Sequence, residues 1–139
     1  MAISFSSIDS SYVLKNKRLV KSWIKNCIES NNFTVGEINI VFSSDSYILE
    51  VNNQFLGHNY FTDIITFPYS SSSLIDADIV ISIDTVKSNS IKFNQPFNRE
   101  LHRVIIHGIL HLTGFNDKSN EQKQQMRVEE EKWLSNFNL

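Results

Sequence analysis

The chain has 139 residues, 41% of them hydrophobic and 20% charged, which is enough for a single domain over residues 1–139 with its own apolar core. A net charge of −2 and a pI near 6.1 exclude a uniformly basic nucleic-acid coat. No run approaches the roughly 18–20 apolar residues of a membrane span, and the N-terminal MAISFSSIDSSYVLK has no basic region leading into an apolar one, as a secretory signal would. The one cysteine, Cys27, excludes an intrachain disulfide and reads as a small buried hydrophobe. A reducing, cytoplasmic location is the expectation.

In chain order, residues from about Leu14 to Ser30 read as an amphipathic helix. Leu19, Val20, Trp23, Ile24, Cys27 and Ile28 form its apolar side. Lys17, Lys21 and Lys25 form a stripe opposite, within a group that also holds Lys15 and Arg18; no acid falls between Asp9 and Glu29. A solvated face and a phosphate-contacting surface both fit that stripe. Glu37 to Phe42 alternates as a strand with Ile38, Ile40 and Phe42 on one side. Asp45 to Phe55 reads as a short helix. Asp63 to Phe67 and Asp78 to Ile83 read as strands, the latter with Ile79, Ile81 and Ile83 on one face and Val80 on the other. Ser70 to Ser73 reads as a polar loop. Asp84 to Ile91 is a short helix. Asn98 to Thr113 is a long one with Asn98 as N-cap, and Ser119 to about Phe137 is the last, with Ser119 and Gln122 spaced as a capping box. Met126, Trp133, Leu134 and Phe137 supply its apolar side. The fold class expected is α+β: a small mixed β-sheet of about four strands packed with about five helices.

The Asn98–Thr113 helix is apolar around most of its circumference, so it is buried. One narrow stripe stays polar: Glu100, Arg103, His107 and His111. Buried polar groups need partners. His107 and His111 leave the same face one turn apart, a spacing that lets two imidazoles reach one tetrahedral ion. Gly114 suits a left-handed helix end, after which Asp117 is positioned to return as third ligand. Three protein ligands leave one position open, the arrangement of a catalytic zinc site. His102 points away from the stripe. His58, in Gly57-His58-Asn59, reads as a loop residue or a cleft-lining one.

The segment HGILHLTGFND, His107 to Asp117, resembles the HGxLHLxGYDH signature of the YbeY family of ribosomal-RNA maturation endoribonucleases. VNNQFLGHNYFTDIITFPY resembles that family's upstream block LNxxYRxxxxPTDVLSFP, and Asp78-Ile79-Val80-Ile81-Ser82 its GDIxIS strand; Met126, Glu130 and Leu134 fit its C-terminal helix. The resemblance implies a zincin-like metal helix and one zinc ion (Zn2+) per chain held by His107, His111 and Asp117. It implies hydrolysis of single-stranded RNA, in maturation of the 3′ end of small-subunit ribosomal RNA and in ribosome quality control. The partners implied are ribosomal RNA, the small ribosomal subunit and an assembly GTPase, with no membrane. Three positions depart from the family pattern. Asp117 stands where relatives carry histidine, and an anionic oxygen ligand makes a zinc-bound water less acidic and favours a harder metal. Leu56 replaces an arginine associated with the RNA, and Phe61 replaces a proline. Arg103, one turn before His107, is then the candidate for a phosphate or structural role, with an i, i+3 pair to Glu100 as the alternative. A metalloprotease of the HExxH type is the rival enzyme, but Gly108 occupies its general-base position. A metal-stabilised ribosome-assembly or RNA-binding factor that cuts nothing is the non-enzymatic alternative.

Overall fold

The computed structural model describes residues 2–58, 62–70 and 72–137; Phe61 and Ser71 lie outside them. The elements run β1 (Ala2–Ile8), α1 (Lys17–Ser30), β2 (Thr34–Ser43), α2 (Asp45–Leu56), β3 (Ile64–Pro68), β4 (Leu74–Ser82), α3 (Ile83–Lys92), α4 (Phe97–Leu112) and α5 (Asn120–Ser135). The four strands form one mixed sheet in the order β1-β2-β4-β3. β1, β2 and β4 are mutually parallel along the sheet, and β3 runs antiparallel on the β4 edge. The α+β expectation and the five helices agree with this architecture.

Period-two alternation decides which face each strand residue serves. Ile38, Ile40 and Phe42 of β2 and Ile79 and Ile81 of β4 are buried in the main core, together with residues of α1, α4 and α5. Val80 and Ile65 point the other way and pack with Ile48 and Val51 of α2. The sheet is thus covered on both faces. α4 lies on the main-core side, with Leu101, Ile105, Ile106, Ile109 and Leu110 fully buried. Each such side chain contributes roughly 1.5–3 kcal/mol on leaving water. α4 packs against α1, α3, α5 and β3, so it is the element that the others surround.

One strand is added and four sequence expectations change, the first being Ile83, which opens α3 and does not lie on the β4 face. β1 lacks a sequence reading of its own, because only Ile3 in it is buried and serines fill Ser4, Ser6 and Ser7. Its strand character comes from pairing with β2 more than 30 residues away and from Phe5 stacking on Phe42 at 6.1 Å. α1 begins at Lys17 and not at Leu14, since Asn16 adopts a left-handed conformation with φ 58°. Leu19 is 47% exposed and does not belong to the apolar side. α4 begins at Phe97 behind Pro96, so Asn98 lies inside the first turn and is not its cap. The Ser119–Gln122 capping box is present: the Ser119 hydroxyl accepts from the Gln122 N–H, and the Gln122 amide oxygen accepts from the Ser119 N–H, both at 3.1 Å.

His102 points to the far side of α4, as its position on the helix requires. It is buried between Trp23 and Phe137, with ring centroids 5.8 and 4.4 Å away. That burial lowers its pKa to about 4. The unfolded chain protonates His102 near 6.5 while the folded chain resists, so its contribution is complete above pH 6.5 and is lost as pH falls towards 4. His102→Phe, which keeps the ring, should remove up to about 3 kcal/mol of acid destabilisation between those pH values. Urea melts of both proteins at pH 7 and pH 4, with a chelator present throughout, measure the difference; equal losses would contradict it.

Candidate metal centre

α4 ends in a Schellman turn. The Phe115 N–H reaches the Leu110 carbonyl at 3.0 Å, and the Gly114 N–H reaches that of His111 at 3.1 Å. Gly114 takes φ 104°, a conformation that L side chains rarely adopt, so the reversal requires glycine here. The turn folds the chain back over the last turn of α4 and delivers Asp117 to the histidines. The Asp117 Oδ2 atom lies 3.4 Å from the His107 Nε2 and 3.3 Å from the His111 Nε2. All three residues are partly buried, and their donor atoms lie within 4.8 Å of one another.

The donor set can be tested against an ion. Nitrogen and oxygen ligands sit roughly 2.0–2.1 Å from zinc, and a tetrahedron of that radius has edges of roughly 3.3 Å. Both histidine–aspartate separations match that edge, and both exceed an ordinary N–H···O hydrogen bond. Two neutral imidazole nitrogens and one carboxylate oxygen therefore fit a single borderline-soft divalent ion such as zinc.

The other nitrogen of His107 is also engaged. Its Nδ1 lies 2.6 Å from the Glu130 Oε2 across the α4–α5 interface. A carboxylate only accepts, so Nδ1 carries the proton and Nε2 keeps its lone pair for a metal. Glu130 is only 5% exposed. Its second oxygen accepts from Arg103 Nη1 at 3.0 Å, Arg103 also pairs with Glu131, and Glu131 pairs with Arg99 at 2.9 Å. Burial alone would lower the His107 pKa, but the Glu130 hydrogen bond and the charges of Glu130, Asp117 and Asp63 outweigh it, so the pKa rises.

A cleft of about 570 Å³ opens over the three donors. One wall is α4, with His107, Gly108, His111 and Leu112. The other is β3 and its approach, with Thr62, Asp63, Ile64, Thr66 and Pro68. The walls meet closely: a Cβ on Gly108 would fall 2.6 Å from the Ile64 Cδ1. Asp63 is the cleft carboxyl outside the donor set. Its burial raises its pKa, while the positive charge of a protonated His107 and backbone N–H groups of Asp63 and Ile64 pull it down.

The fold brings His107, His111 and Asp117 together. It does not bring Arg103, Leu56 or His58 to the cleft, whose described lining residues include none of them. Arg103 is committed to Glu130 and Glu131, and the Glu100 pair does not form as an ion pair among the described residues. Two residues here were not read as site residues from the sequence. Glu130 was noted only as part of a helix pattern, although its four-residue spacing from Met126 places it on the buried side of α5. Asp63 was noted only as a strand start.

Fold and site together define a small α+β protein with a group of three side chains that could hold a metal ion in an open cleft. A family profile described as Endoribonuclease YbeY matches residues 4–138. Among curated relatives, Endoribonuclease YbeY of Phocaeicola vulgatus is 50% identical over 88% of this chain and 89% of its own. That of Parabacteroides distasonis is 44% identical over 97% and 95% respectively. A solution structure of a Thermotoga maritima protein, 26% identical, covers 96% of this chain and 87% of its own, with a TM-score of 0.65. The chain belongs to the YbeY family of endoribonucleases.

If the Glu130 carboxylate sets the His107 tautomer, Glu130→Gln should weaken zinc affinity by about 10–100-fold. Competition against a chromophoric chelator reads the affinity, and thermal melts in excess chelator separate it from loss of fold. An unchanged affinity would show that Glu130 serves packing alone.

Proposed function

We propose that this protein is a zinc-dependent endoribonuclease that cuts single-stranded RNA, maturing the 3′ end of small-subunit ribosomal RNA and serving ribosome quality control. The observation that carries the reading is the His107–His111–Asp117 set at the floor of an open cleft in a chain of this family. Its partners are the small ribosomal subunit and an assembly GTPase, its location is the cytoplasm, and residues 1–139 act as one domain. No helix among the described residues is long and apolar enough to cross a membrane.

In this reading His107, His111 and Asp117 hold the ion. When bound, the ion lowers the pKa of a water and offsets charge on phosphoryl oxygens. The chain's own residues supply the rest. Glu130 keeps the proton of His107 on Nδ1 and so keeps Nε2 aimed into the cleft. Arg103 braces Glu130 and is a positioning residue, since its guanidinium is held by Glu130 and Glu131 and does not line the cleft. Asp63 is placed on the opposite wall to accept or return a proton at its carboxyl group. Thr62 and Thr66 add hydroxyls along the wall that a phosphate backbone would follow. Asp117 makes the donor set one charge more negative than three histidines would, which lowers its electrophilic strength.

The protease alternative lacks its general base: Gly108 stands where that motif carries a glutamate. The non-catalytic alternative is separated by experiment. Metal-free protein should cut single-stranded RNA negligibly, zinc should restore cutting with about one ion per chain, and Asp117→Ala should cut about 100-fold less or worse, as expected for a ligand where outer partners alone are worth 10–100-fold. Zinc-loaded protein no faster than Asp117→Ala would leave the assembly-factor reading in its place.

Occupancy should also depend on pH. A His107 pKa above the usual 6.5 means protons compete with zinc at a higher pH than at an unperturbed histidine. Zinc affinity should therefore begin to decline at a higher pH than an unperturbed histidine would give, and the decline should move to lower pH in Glu130→Gln, which loses the charge that raises the pKa. Zinc titrations between pH 8 and pH 6 read this shift; superimposable profiles would contradict it.

A further inference from the structure

On the sheet edge opposite the metal cleft, α1 and the starts of β1 and β2 enclose a second groove of about 420 Å³. Its floor is apolar, from Ile3 and Val35, and its rim carries Arg18, Lys21 and Lys25. No carboxylate lines it, and none of the three cations has an ion pair among the described residues. The charge is segregated: all five bases between Asp9 and Glu29 stand without an acid, and with 8 of the 13 bases left against all 15 acids the rest of the chain carries −7.

Helix stability does not account for this placement. The first turn of α1 holds Lys17 and Arg18 and no acid, at the positive end of the helix dipole, where anions stabilise and cations do not. Lys17, Lys21 and Lys25 repeat at i, i+4, where like charges cost a few tenths of a kcal/mol per pair in an isolated helix. A local rule broken repeatedly on one surface, with no internal compensation, points to a ligand that supplies the missing charge.

We propose that this groove is an accessory site for the phosphate backbone of the RNA, gripping the strand away from the cut. The proposal rests on the nuclease reading only for the identity of the anion. α1 packs on α4 on the same face of the sheet, so a strand can run from one site to the other across that face. Three strand spacings separate β1 from β3, roughly 14 Å. A dinucleotide seated in the cleft, with its single phosphodiester, therefore does not reach the groove, and a long strand does.

The test compares labelled oligouridylates of about 2 and about 20 nucleotides, bracketing common single-strand site sizes. Binding is read by anisotropy across a salt series with zinc-loaded protein and 2′-O-methyl phosphorothioate strands, which resist hydrolysis, so it does not depend on cleavage. Arg18→Gln/Lys21→Gln/Lys25→Gln should bind the long strand at least about tenfold more weakly, with the slope of log K against log salt reduced by about 2, near 0.7 for each lost phosphate contact. The short strand should bind as before, and the triple variant should melt no lower than its parent. Lys21→Arg/Lys25→Arg should retain the long-strand affinity. If the triple variant does not fold, Lys21→Gln alone should lower the slope by about 0.7. An unchanged long-strand slope, or equal losses on both strands, would overturn the proposal. Such a result would leave the groove to an acidic protein partner or to solvent, whatever the cleavage assay gives.

Discussion

An imidazole offers a metal one nitrogen well only when the other is held. In this protein that constraint is met by the 2.6 Å contact between His107 Nδ1 and Glu130, and much of the architecture follows from it. Glu130 lies on α5, so α5 must pack against α4 in one register for the site to form. A carboxylate buried in that interface is expensive unless its oxygens are occupied. Arg103 occupies the second oxygen, Glu131 balances Arg103, and Arg99 balances Glu131. The chain of charges runs from the half-buried His107 to the exposed Arg99–Glu131 pair.

The cleft depends on a second constraint, the close approach of β3 to α4. β3 is the antiparallel edge strand, and one of its side chains, Ile64, rests where a Cβ on Gly108 would stand. Glycine at that point lets the strand and the helix form the two walls of one cleft over the donors.

Charge is distributed unevenly for the same kind of reason. The cleft gathers Asp63 and Asp117, with Glu130 behind them, which suits a divalent cation and repels a bare phosphate chain. Bases sit at the other edge of the sheet on α1, where nothing internal neutralises them. A polyanion that must approach an acidic cleft gains from attraction at a distance from it, and the low net charge of the whole chain conceals that separation.

The i, i+4 histidines, the glycine turn and Asp117 were legible because all fall within eleven residues, where helical periodicity and turn chemistry fix relative positions. The β2 core face, Ile79 and Ile81 of β4 and the Ser119 capping box were legible on the same ground, whereas Ile83, read onto that strand face, opens α3. β1 was not, because a serine-rich edge strand acquires its identity from β2, far along the chain. Neither was the role of Glu130, since its partner lies 23 residues away on another helix. Nor was the commitment of Arg103: a helical stripe offered Glu100 as its partner, and the α4–α5 packing supplied Glu130 and Glu131 instead. The sequence by itself determined the candidate donors and the turn that joins them. Only the tertiary structure decided which group holds His107, what walls the cleft and where the bases of α1 face, because each is a contact between elements whose separation no local period encodes.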